Sequence, residues 1–128
     1  MVARDRRIVG IALLALVDLA GWTPPATAHS LPLRFEPRPD AILSAGPAEV
    51  RIVFGGDIEP MFSSIEVTDA GGQRVDKADA GVNGRNPRLL RVSLGALIPG
   101  VYRVTWQILA IDGHRNQGSY TFTFKAPE

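Results

Sequence analysis

The sequence predicts an all-β domain, a small sandwich or barrel, carried behind a cleavable export leader. Three features lead there: a basic-then-apolar start that ends in small residues, period-two alternation of apolar side chains beyond it, and turn residues separating the alternating runs.

The leader comes first in the chain. Arg4, Arg6 and Arg7 make a basic start, and residues 8–17 form an apolar run too short to span a bilayer, interrupted by Asp18. Ala26, Thr27 and Ala28 supply the small residues that a signal peptidase accepts. The expectation is therefore a signal peptide at residues 1–28 and a mature domain at residues 29–128, beginning with His29. The adjacent Arg6 and Arg7 also fit the twin-arginine route.

Composition then narrows the function classes. A mature part of 100 residues suits one domain, and its 11 Lys plus Arg balance 11 Asp plus Glu. No basic excess or stripe points to nucleic acid or to a membrane surface. The chain contains no cysteine, so the fold must hold without disulfides, and thiolate zinc, blue-copper and iron–sulfur sites are excluded.

Alternation defines the strands in turn. "EVRIVFG" puts Val50, Ile52 and Phe54 on one face, and "SIEVTDAGGQRV" does the same with Ile65 and Val67 before turning at residues 69–72. "RLLRVSL" groups Leu90, Val92 and Leu94. "VYRVTWQI" sends Tyr102, Val104, Trp106 and Ile108 inward while Arg103, Thr105 and Gln107 face out. "SYTFTF" closes the chain with Tyr120, Phe122 and Phe124 inward. Proline and glycine at residues 37–47, 81–87 and 99–100 read as separators, and no segment promises a helix of more than a turn or two. Tyr102, just after the Pro99 and Gly100 turn, suits either a tyrosine corner or a ring that simply fills core. Trp106 and Phe122 read as core rather than as a ligand platform.

Two histidines occur in the whole chain, His29 at the expected cleavage point and His114 in "IDGHRNQGSY". A newly exposed His29 offers an α-amine and an imidazole Nδ1 that together close a chelate ring. Asp112 and His114, two apart in an extended segment, would point to one face, with Gly113 between them allowing a close approach. Three nitrogens and one carboxylate oxygen in a plane form a tetragonal set that suits Cu(II) better than tetrahedral zinc. Each residue alone has a blander reading: D-G is a common turn dipeptide, and a loop histidine is usually solvated. The bet on His29, Asp112 and His114 as ligands assumes that the first strand starts at the same end of the domain as the Asp112 turn.

The mature chain resembles the CopC-like copper-resistance family of exported proteins. The likeness is carried by the histidine start, "RPDAILSAGP", "FSSIEVTDAGG" and above all "LIPGVYRVTWQILAIDGHRNQGSYTF", with its Pro-Gly, Tyr, Trp, Asp-Gly-His and aromatic in order. The resemblance implies an immunoglobulin-like Greek-key β-sandwich of seven to eight strands. It also implies a periplasmic Cu(II)-binding role in copper tolerance, sequestration or delivery, with His29, Asp112 and His114 as ligands and an inner-membrane copper transporter of the CopD type as partner. Departures qualify it. Leu31 stands where many members carry a third-position histidine. Phe54, Gly55, Gly56 and Asp57 stand where members often have Phe-Ser-Glu, which leaves Asp57 open as a further ligand. Met61 is the single methionine of the mature part, too few thioethers for a soft Cu(I) site. The competing readings are a histidine-chelate copper oxidoreductase, which would need an open position that Asp112 fills, and a metal-free immunoglobulin-like adhesion module.

Overall fold

The computed structural model describes residues 30–128; the leader, the expected cleavage point and His29 lie outside the described residues. Alternating runs become strands because burying one face of each offsets the cost of ordering them. Among the described residues there are eight strands: β1 (Pro32–Glu36), β2 (Ile42–Leu43), β3 (Glu49–Phe54), β4 (Ser64–Thr68), β5 (Gly81–Asn83), β6 (Asn86–Ser93), β7 (Gly100–Leu109) and β8 (Arg115–Phe124). They pair as two four-stranded sheets, β1-β3-β6-β5 and β2-β8-β7-β4, so the fold is a β-sandwich. Hairpins join β5 to β6 and β7 to β8, while every other connection crosses from one sheet to the other.

The expected inward faces form the core. Val50, Ile52, Phe54, Ile65, Val67, Leu90, Val92, Val104 and Phe122 are fully buried, and Tyr102, Trp106, Ile108 and Tyr120 nearly so. Each such aliphatic or aromatic side chain contributes roughly 1.5–3 kcal/mol by leaving water. Tyr102 forms the tyrosine corner: its hydroxyl donates to the Ile98 carbonyl, and its ring stacks on Phe122 at 5.5 Å. Burial alone pushes the Tyr120 phenol pKa up, and among the described residues nothing bonds its hydroxyl. Gly118 pairs with Trp106 across β7 and β8, and the indole lies over it; a Cβ there would sit 2.4 Å from Trp106 Cζ2.

Two separators proved to be structure. Residues 81–87 hold β5 and the start of β6, and residues 37–47 hold β2, whose Ile42 is 73% exposed and which runs parallel to β8. Both added strands are short sheet edges without a full buried face, so alternation could not reveal them. Among the described residues only one turn of 3-10 helix, Pro60–Phe62, interrupts the β architecture.

The strands define two ends. The loop at residues 69–80, which follows β4, lies at one end, and Asp76 organises it. Its fully covered carboxylate accepts from the Val67 and Ala78 N–H groups at 2.9 and 2.8 Å and from Arg74 Nε at 2.9 Å. Burial pushes the Asp76 pKa up. The Arg74 guanidinium and the two backbone donors together outweigh that, leaving it below the ordinary carboxylate value. The β7–β8 turn lies at the opposite end, beyond the Leu109 and Arg115 pair.

Candidate metal centre

The β7–β8 connection is a tight hairpin loop whose chemistry follows from its sequence. Gly113 N–H bonds the Ala110 carbonyl at 2.9 Å, Ala110 N–H bonds the His114 carbonyl at 2.8 Å, and Gly113 has φ of 91°. This is a turn closed by a residue in the left-handed region, the position glycine fills without strain. Asp112 and His114 are therefore brought together by a turn, not by an extended segment as expected. Gly113 is needed for its backbone angle rather than for space, since a Cβ there would meet nothing within 4 Å.

Asp112 Oδ1 accepts the His114 backbone N–H at 3.0 Å, which fixes the carboxylate over the turn. His114 Nδ1 lies 3.1 Å from the same oxygen, with side-chain exposures of 41% for His114 and 36% for Asp112. That approach is proximity without hydrogen-bond alignment, and Nδ1 itself is covered, so the exposure of the ring belongs to its other atoms. Two of the three expected ligands thus sit side by side at the surface. Among the described residues no third His, Cys, Asp or Glu joins them to make a metal-sized group.

The third expected ligand, His29, lies outside the described residues. Its described neighbours start at this end of the sandwich. Ser30 is fully buried, and the Leu31 carbonyl accepts from Gly55 N–H at 3.0 Å. Two residues further on, the Asp57 carbonyl accepts from Ile111 N–H at 3.0 Å, next to Asp112. Asp57 and Asp112 share a cleft of about 270 Å³ with Gly56, Arg88, Ala110 and Ile111. The Asp57 carboxylate faces Arg88, whose Nε is 3.3 Å away. Met61 is 89% exposed on the neighbouring 3-10 turn. A larger groove of about 540 Å³ lies on the outer face of β4, β7 and β8 and is lined by Ser64, Thr105, Gln107 and Gln117, with no histidine.

Sequence reasoning missed Arg88 and Ser63, whose Oγ accepts the Leu109 N–H at 3.1 Å. Both meet partners distant in sequence, so no local pattern announced them.

Residues 33–125 match the CopC domain family. The chain is 30% identical over 113 residues to Protein YobA of Escherichia coli (strain K12), covering 88% of this chain and 91% of that protein. It is 31% identical over 97 residues to the Copper transport protein CutJ of Bacillus subtilis (strain 168), covering 75% of this chain and 18% of that longer protein. The fold is similar to the crystal structure of CopC from Methylosinus trichosporium OB3b, with 32% identity, TM-score 0.70 and coverage of 77% of this chain and 95% of that one. It is also similar to selenomethionine PcoC, a copper resistance protein from Escherichia coli, with 26% identity, TM-score 0.63 and coverage of 74% and 99%.

Proposed function

The chain belongs to the CopC domain family, and from that premise we propose that it is an exported copper-binding protein holding one Cu(II) ion for tolerance, sequestration or delivery. The observation that carries this reading is the surface pair of Asp112 and His114, 3.1 Å apart, at the end of the sandwich from which the described chain starts. The copper-resistance and copper-transport names of its relatives support it.

Cleavage before His29 would create an amine beside an imidazole. With His114 and Asp112 these make three nitrogens and one oxygen, a donor set that favours tetragonal Cu(II). The amine and imidazoles bind only when deprotonated, so copper binding strengthens as pH rises. Met61 supplies one thioether, too little for a soft site, so the protein would hold Cu(I) only weakly. Asp112 would fill a position that an oxygen-activating copper enzyme keeps open, which favours a carrier over an oxidoreductase.

We place the mature protein in the periplasm, handing copper to an inner-membrane transporter of the CopD type. Among the described residues no helix is long and apolar enough to cross a membrane. A copper transport protein that contains a matching segment within a longer chain supports that partnership.

Protein beginning at His29 binds one Cu(II) with a mostly nitrogen-ligated tetragonal EPR signal. Protein with one extra residue before His29 binds at least roughly tenfold more weakly, because its amine has become an amide. Equal affinity of the two forms, measured by competition with a chelator, ends this reading.

A further inference from the structure

We propose that Ser63 is a positioning residue for Asp112 and His114, and that residues 55–63 form a strap tying their turn to the first described residues. The consequence for copper rests on the function proposed above; the positioning itself does not.

Strand β4 covers β7 only from Thr68 opposite Arg103 to Ser64 opposite Gln107. Beyond Gln107 the β7 strand continues to Leu109 without a β4 partner, just before the ligand turn begins. The Ser63 hydroxyl oxygen accepts the Leu109 N–H at 3.1 Å at this point, a side chain doing what a backbone carbonyl of β4 does elsewhere. The strap then runs on beside the turn base. Glu59 N–H donates to the Leu109 carbonyl at 2.8 Å, Ile58 bridges Ala110, and Ile111 N–H donates to the Asp57 carbonyl at 3.0 Å.

The same strap reaches the rest of this end. Gly55 N–H holds the Leu31 carbonyl at 3.0 Å, and Ile58 N–H holds the Pro87 carbonyl at 2.9 Å. One short segment thus bonds both Leu31, just ahead of β1, and the turn that presents Asp112 and His114. Most of its anchors are backbone groups that any residue supplies. The two side-chain anchors differ in weight. Arg88 and Asp57 are 54% and 40% exposed and 3.3 Å apart, so solvent screens them and they add little. The Ser63 bond is part-buried, and deleting it leaves the Leu109 N–H without a partner, which costs more.

The test compares Ser63→Ala with Ser63→Thr, which keeps the hydroxyl, and with Ser63→Cys, which keeps the size but accepts weakly. In metal-free protein, Ser63→Ala is expected to speed amide exchange at Gly113 and His114 roughly tenfold, the effect of one net hydrogen bond. Ser63→Cys does the same, Ser63→Thr stays near the unaltered rate, and Val104 in the middle of β7 does not change. In protein beginning at His29, Cu(II) leaves to a chelator roughly tenfold faster from Ser63→Ala and at the original rate from Ser63→Thr. Unchanged exchange at Gly113 and His114 overturns the proposal. So does acceleration that spreads evenly over β7 and β8, or a threonine variant no better than alanine. If unaltered protein binds no Cu(II), the proposed function fails, and the exchange rates still decide the strap.

Discussion

Two aspartates at opposite ends of the sandwich have contrasting environments. The Asp76 side chain has 0% exposure, bonds two backbone N–H groups and faces Arg74 at 2.9 Å. The Asp112 side chain is 36% exposed, bonds the backbone N–H two residues on and lies beside the only histidine among the described residues. The same side chain closes a loop in one place and stays presented to solvent in the other. Burial decides which: a covered carboxylate must satisfy its oxygens within the protein, and a part-exposed one is also reached by water.

The largest way to break this contrast is Asp76→Ala. It strands the Val67 and Ala78 N–H groups and should cost on the order of 2–3 kcal/mol, lowering Tm by roughly 10 °C or more, with Cu(II) affinity unchanged while the protein is folded. Thermal unfolding followed by circular dichroism checks the first part, and chelator competition checks the second. Gly118→Ala comes next. The new methyl would overlap the Trp106 ring and should cost about 1–3 kcal/mol, visible in the same melt.

The two ends should also part company in an acid titration. Because the folded Asp76 pKa is depressed, its stabilisation is fully present above the ordinary carboxylate value and is lost as pH falls through the folded one, below about pH 4. Copper should leave earlier, because protons compete with the ion for nitrogen donors that are more basic than a carboxylate. Parallel EPR and circular dichroism titrations should show two separated steps, and coincident steps would mean that copper and fold are lost together.

The smallest stability effect is expected at the exposed turn. Asp112→Asn keeps an oxygen for the His114 N–H and should change stability by less than about 0.5 kcal/mol while weakening Cu(II) binding by at least roughly tenfold. A paired control in the core sharpens the point. Tyr102→Phe should cost about 1 kcal/mol by removing the tyrosine corner, whereas Tyr120→Phe, whose hydroxyl has no partner among the described residues, should be neutral or slightly stabilising. Denaturant midpoints of the two variants test it.

Much of the fold was legible because its central strands bury one face and expose the other. Val50 to Phe54 and Tyr102 to Ile108 carry period-two patterns that a half-buried sheet requires. Edge strands β2 and β5 were not legible, because they are short and lack a fully buried face. Asp112 and His114 stood out by composition and spacing, yet the reason for their approach was misread: a left-handed glycine turn joins them, not strand alternation. Ser63 and Arg88 carried no signal, since their meaning lies in partners on distant strands.

The amino-acid order by itself determined the sandwich class, its main inward faces and the short spacing of Asp112 and His114, because periodicity, turn residues and sequence spacing are local properties. Only the tertiary structure decided that Asp76 is enclosed and Asp112 exposed, and that one strap connects the first described residues to the β7–β8 turn. Burial and long-range backbone pairing depend on how strands stack and register, which no single segment encodes.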